Sequence, residues 1–204
     1  MDTRTLAHFI WIGEPIEMPD LYQKCYSTFY RKHPGWDIKL WLTRDVDRIV
    51  ENSPYKDLFY KYDSFINKYN FVKYHILAQE GGWFVDLDIE WTRSIEDIYR
   101  DFMRTARLPQ MFVPVRQFPF SAVNEKMNDD MLIYAEKGVL WDLIEYISKR
   151  TDIDQNKKYE PFGPVSLSLW LHKSDVTREY LYENQIQNNG YYCNHLNGQS
   201  WKLY

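Results

Sequence analysis

Asp86 and Asp88 close the run "EGGWFVDLD" (Glu80 to Asp88), one residue apart, after a stretch that is otherwise glycine, aromatic and aliphatic. In a strand, residues two apart point to one side, so both carboxylates are expected on the face of Phe84, with Val85 and Leu87 on the opposite side. Without a cation the pair would repel, and one carboxyl would be driven toward its protonated form. A hard divalent cation such as Mg²⁺ or Mn²⁺ lets both ionise, and such ions commonly bind through one or two carboxylates plus substrate phosphates. The pair alone is also compatible with a solvated turn. Its place at the end of a buried strand, directly after a helix and a double glycine, is where α/β folds assemble ligand sites. A nucleotide diphosphate is the natural third party.

Other residue types point less sharply. Gly163 and Pro164 precede a helix whose free N–H groups could receive an anion or an acceptor hydroxyl, although a plain helix start has the same signature. His8 and His75 have no carboxylate at metal-site spacing and read as satisfied polar groups beside the core. Cys25 and Cys193 read as packing residues, with no Cys/His arrangement for nucleophilic catalysis. The chain has no G-x-x-x-x-G-K-[ST] loop to hold a triphosphate, which disfavours phosphoryl or nucleotidyl transfer.

The elements that must position the aspartates can be read from the pattern. "TLAHFIWIG" is a buried strand running into a loop at Gly13 and Pro15. A helix follows Pro19, with Leu21, Cys25 and Phe29 on one face, and stops between His33 and Gly35. "IKLWL" returns as a strand. "NKYNFVKYHILAQEGG" carries a helical stripe at Phe71, Tyr74, Leu77 and Ala78, capped by Gly81, and feeds into "WFVDLD". "QMFVPV" and "DMLIYA" read as strands, and "KGVLWDLIEYISKR" and "GPVSLSLWLHK" as helices. The Asn- and Gly-rich tail from Ile186 reads as loop and short strand. Strands alternating with helices predict an α/β fold with a central sheet.

At 204 residues, without linker or repeat, the chain is expected to form a single domain over 1–204. A net charge of −4 disfavours a surface that is basic all over, so a nucleic-acid contact would need a local patch such as Tyr30 to His33 or the residues near Arg150. Only two cysteines and no basic-then-apolar leader suggest a reducing, cytoplasmic compartment. No apolar run approaches the roughly 20 residues that span a bilayer, so no membrane span is expected.

"HFIWIG" (His8 to Gly13), "NFVKYHILAQEGGWFVDLD" (Asn70 to Asp88) and "HLNGQSW" (His195 to Trp201), in this order, resemble the sugar transferases with a DXD motif, the group that holds the fungal-type mannosyltransferases and the large clostridial glucosylating toxins. The resemblance implies a GT-A (Rossmann-like) fold with a mixed central sheet flanked by helices, a nucleotide-sugar donor (most often a UDP-sugar), a bridging Mn²⁺ or Mg²⁺, and retention of anomeric configuration. Carried over by position, Trp11 would stack on the base with the backbone of Ile10 and Ile12 beside it. Asp86 would contact ribose or sugar and the metal, Asp88 would ligate the metal directly, and His195 would lie near the metal or pyrophosphate. Ser200 and Trp201 would close over the diphosphate.

Asn128, Asp129 and Asp130 are similar to the segment where an Asn or Asp approaches sugar and acceptor, and read equally well as a polar turn. Asn70 and Lys73 stand where the family usually has Asp and Arg to hold the donor sugar, and Phe84 stands for a frequent Tyr. An Asn keeps hydrogen bonding without the charge, and Lys offers a point charge in place of a planar fork. The acceptor is left open among a glycan, a protein side chain and a hydroxylated DNA base. A scaffold of the same fold that has lost catalysis is the alternative.

Overall fold

An apolar strand near the start of the chain lies inside the sheet, between two parallel neighbours. The computed structural model describes residues 3–12, 18–62, 64–102, 109–117, 126–151, 162–182, 186 and 192–196. Strand β1 (Leu6–Trp11) is buried at every position and pairs in parallel with β2 (Asp37–Leu42) on one side and β3 (Gly82–Val85) on the other. A strand covered on both faces is expected to be a continuous apolar run. His8 interrupts that run: its Nε2 lies 2.8 Å from the Gly81 carbonyl, and the Trp41 indole N–H donates to its Nδ1 at 3.2 Å. One nitrogen donates and the other accepts, as a neutral imidazole requires, and burial pushes its pKa down to about 4.

Beyond β3 the sheet turns antiparallel, through β7 (Leu132–Ala135) to β5 (Met111–Gln117). β5 also pairs antiparallel with β6 (Lys126–Asn128) and parallel with β8 (Arg178–Tyr182), completing a seven-stranded mixed sheet. The expected α/β architecture with a mixed central sheet flanked by helices is thus observed. Alternation along the strands divides the core into two layers. Ala7, Phe9, Trp11, Trp83 and Val85 face a layer covered by α1 (Asp20–Lys32) and α5 (Ile95–Phe102). Ile10 and Phe84 face the other, covered by α4 (Phe65–Glu80), α6 (Val139–Lys149) and α7 (Pro164–Lys173).

Two helical details differ from the sequence pattern. On α1 the buried face is Tyr22, Cys25, Thr28 and Phe29, and Leu21 is 38% exposed. Tyr22 takes its place because its ring packs beside that of Trp11, 5.9 Å away. On α4 every residue from Asn70 to Ala78 is buried, so the stripe is only part of a helix enclosed all round by sheet and helices. Two short helices, α2 (Thr43–Glu51) and α3 (Lys56–Lys61), follow β2, where the pattern raised no expectation; α2 buries only Val46 and Val50.

The double glycine has a steric reason. Gly81 caps α4 at φ 72° and Gly82 opens β3 at φ 101°. A Cβ would stand 2.8 Å from the Lys137 backbone nitrogen at Gly81 and 2.7 Å from the Leu6 carbonyl oxygen at Gly82. A left-handed backbone and this close approach both exclude a side chain. The helix can thereby turn directly into the strand that carries the aspartates.

Candidate active site

β3 ends at Val85, and Asp86 to Asp88 form a turn leading to the short strand β4 (Ile89–Trp91). The expected sidedness persists through this turn: Val85 and Leu87 pack in one core layer, and Phe84 packs in the other. Two pairings then gather the site. The β3–β7 ladder sets Val85 opposite Leu132, and the Asp86 N–H donates to the Met131 carbonyl at 2.8 Å, which brings Asp129 and Asp130 to the same sheet end as Asp86. β4 pairs antiparallel with β9 (Cys193–His195), setting Ile89 opposite His195, and the Leu196 N–H donates to the Asp88 carbonyl at 2.9 Å.

Helix α4 supplies the cations and hydroxyls. The Lys73 side chain is only 2% exposed, and its Nζ lies 3.3 Å from Asp86 Oδ1 and 3.7 Å from Asp130 Oδ2. It also donates to the Asp130 carbonyl at 2.7 Å and sits 5.0 Å from the centre of the Phe84 ring. Tyr69 O–H donates to Asp86 Oδ1 at 3.4 Å, and Tyr74 O–H donates to Asp130 Oδ2 at 3.2 Å. Asp129 Oδ1 accepts the Asp130 backbone N–H at 2.8 Å. On the other flank His195 Nε2 lies 3.3 Å from Asp88 Oδ1.

The charges do not balance. Burial pushes the Asp86 carboxyl up to about 7, with Lys73 opposing and the neighbouring Asp88 and Asp130 adding to the rise. Asp130 is also raised, by burial first, against the pull of Lys73. Burial acts against the Lys73 ammonium, but Asp130, Asp86 and Asp129 outweigh it and hold it above the ordinary lysine range. Burial likewise disfavours a charged His195, while its hydrogen bond and charge pairing with Asp88 raise it overall. These aspartates facing one buried ammonium suit a further hard cation.

Among the described residues no group of three His, Cys, Asp or Glu is arranged to hold a metal ion. Mg²⁺ and Mn²⁺ do not need one, since substrate phosphates complete their shell. Asp88 and Asp86 therefore fit such an ion. His195 Nε2 faces Asp88, and its raised pKa comes from that hydrogen bond and charge pairing, so an ion on Asp88 would share this carboxylate with the imidazole.

The remaining candidates fall in different places. Ile10 is buried, Ile12 is partly buried, and Trp11 is 4% exposed with its ring against Tyr22, so the indole offers no open face to a base as it stands. Phe84 lies beneath the site, fully buried under Lys73, and Lys73 itself points to carboxylates instead of open space. Asn70 donates through Nδ2 to the Phe162 carbonyl at 3.2 Å, and Asn67 Oδ1 accepts the Phe162 N–H at 3.3 Å. These two bonds tie Gly163, at φ 148°, and the start of α7 to α4. Asn128 closes β6 opposite Val115. Ser200 and Trp201 lie outside the described residues.

His75 departs from its expected role. Neither of its ring nitrogens has a hydrogen-bond partner among the described residues. The ring is wedged edge-on against Trp141 at 4.8 Å and beside Phe71, and burial pushes it down to about 4 and keeps it neutral. Cys25 and Cys193 are buried and free, with thiols raised by burial, as packing residues should be. Tyr69 and Tyr74 were missed by the motif reading. The available signal was the i, i+4 relation of Tyr69 to Lys73 on a helix that leads into the aspartates.

A mixed sheet flanked by helices, with a D-x-D pair at the carboxyl end of a central strand, is the GT-A type of glycosyltransferase fold. Residues 19–104, which include Asn70, Lys73, Asp86 and Asp88, match the family model of the glycosyltransferase sugar-binding region containing a DXD motif. Inositol phosphoceramide mannosyltransferase 1 of Schizosaccharomyces pombe is 32% identical over 98 residues, which is 46% of this chain and 30% of that protein. The match thus spans well under half of that relative's length.

Two solved structures share the fold. A glycosyltransferase involved in glycosylation of the major capsid of PBCV-1 superposes with a TM-score of 0.54 at 12% identity, over 97% of this chain and 95% of that one. The catalytic domain of alpha-toxin from Clostridium novyi does so at 0.50 and 11% identity, over 84% and 64%. No helix among the described residues is long and apolar enough to cross a membrane.

Proposed function

We propose that this protein transfers a sugar from a nucleotide-sugar, a UDP-sugar foremost, to an acceptor hydroxyl with retention of anomeric configuration, residues 1–204 acting as one catalytic domain. The observation that supports this most is the convergence of Asp86, Asp129 and Asp130 on a single buried ammonium, Lys73, at the carboxyl end of β3, with Asp88 beside Asp86. A bound Mn²⁺ or Mg²⁺, held by Asp88 with Asp86, would offset the negative charge that builds on the leaving diphosphate. Lys73 holds the Asp86 and Asp130 carboxylates in place, and Tyr74 fixes Asp130 from the same helix. No carboxylate is fixed by the sequence as a nucleophile, and the preferred reading is a front-face path in which the leaving phosphate helps remove the acceptor proton.

The acceptor is a glycan, a protein side chain or a hydroxylated DNA base; the mannosyltransferase relative places mannosyl donors beside UDP-sugars for testing. One observation favours the degenerate scaffold as second reading: Asn70 and Lys73, the positions expected to hold the donor sugar, both bond protein groups. The deciding experiment is thermal shift and donor hydrolysis with UDP- and GDP-sugars, with and without Mn²⁺, on the wild type and Asp88→Asn. Metal-dependent stabilisation and hydrolysis that fall about a hundredfold in Asp88→Asn support the enzyme. Stabilisation without hydrolysis or transfer selects the scaffold, and no response to any nucleotide-sugar rejects both.

A further inference from the structure

We propose that Tyr69 is a positioning residue of the donor site, its phenol holding the carboxylate of Asp86 from helix α4. The proposal rests on the reading of Asp86 as part of a nucleotide-sugar and metal site. The Tyr69 ring is fixed from three directions: Phe65 stacks on it at 6.3 Å, Phe84 meets it edge-on at 6.0 Å, and the Lys73 ammonium lies 5.3 Å from its centre. With the ring so held, the hydroxyl can reach only a narrow region, and the group it reaches is Asp86 Oδ1 at 3.4 Å. A carboxylate only accepts, so the phenol donates.

The separation is long for an O–H···O bond, and contacts of this kind commonly tighten when substrate binds. The same oxygen of Asp86 also receives Lys73 at 3.3 Å. Two donors from one helix therefore orient a single carboxylate oxygen. Phe84, two residues before Asp86, carries no hydroxyl, and Tyr69 brings one to the aspartate from the helix side. Partners of ligating carboxylates set metal affinity without touching the metal.

Tyr69→Phe removes one oxygen and keeps the ring contacts. The expected result is a rise of about tenfold in the half-activating Mn²⁺ concentration, with a parallel rise in donor KM and a small fall in the melting midpoint that is absent in the Asp86→Asn background. In Asp86→Asn the further change Tyr69→Phe is expected to add nothing, because Tyr69 acts through Asp86. Unchanged Mn²⁺ activation and donor KM in Tyr69→Phe, or effects that multiply in the double variant, would overturn the proposal.

The same cycle read as melting midpoints of the metal-free protein needs no activity. Midpoint shifts of the two single variants that fail to add support the Tyr69 to Asp86 link, and additive shifts reject it. Loss of the functional reading is recognised separately, as a wild type that no nucleotide-sugar stabilises with Mn²⁺ present.

Discussion

Asp86 is met by side chains from α4, the helix that immediately precedes its strand, whereas Asp88 is met by His195, which arrives from the other end of the chain on β9. The Asp86 flank is dense: an ammonium, a phenol and a second carboxylate with its own phenol share one enclosed space. On the Asp88 flank His195 meets the carboxylate from a two-stranded sheet. The density difference separates two tasks. The Asp86 flank is organised by the helix that precedes its strand, while the Asp88 flank is set by pairing of β4 with β9, whose Ile89, Trp91 and Cys193 are buried in the other core layer.

The comparison is sharpened most by Lys73→Met, which keeps bulk and removes the charge. Leaving buried carboxylates without their cation is expected to destabilise the protein by about 3–5 kcal/mol, read by denaturant unfolding. Mn²⁺ should restore more stability to this variant than to the wild type, because it supplies the missing charge. A loss under 1 kcal/mol would show that the Asp86 flank does not depend on its ammonium.

Next in size is a pH effect at Asp86. Its folded pKa, raised to about 7, lies above the ordinary carboxylate value, so the folded state holds a proton that the unfolded chain has released. Stability from this group therefore falls as pH rises from about 4 to about 7. His8, His33 and His75, each lowered to about 4, act in the opposite sense but equally in both proteins compared. Asp86→Asn should accordingly gain stability relative to the wild type across that window, and the difference should level off above it. A pH-independent difference would mean that Asp86 is ionised throughout, with no burial penalty.

The smallest effect belongs to the Asp88 flank. His195→Gln is expected to lose about 1 kcal/mol at pH 6. Because the folded pKa of His195 is raised, its contribution is complete below the ordinary histidine range and is lost as pH rises through the raised value. The loss should therefore vanish at high pH. A loss as large as that of Lys73→Met would erase the distinction between the flanks.

The sequence by itself determined the elements whose signals are local: the apolar run of β1, the Gly81 cap and the strand leading to Asp86. Glycines that need positive φ and strands buried on both faces write themselves into neighbouring residues. The spacing of the two carboxylates also placed Asp86 and Asp88 side by side in the turn that follows β3. What only the tertiary structure decided are the partners. Lys73 serves as an internal counter-ion, Asn70 clasps Phe162, and His195 meets Asp88 through pairing with β4. Each depends on a contact between distant segments, and the direction of a buried side chain is set by which neighbour can satisfy its charge or hydrogen bond, information that no local pattern carries.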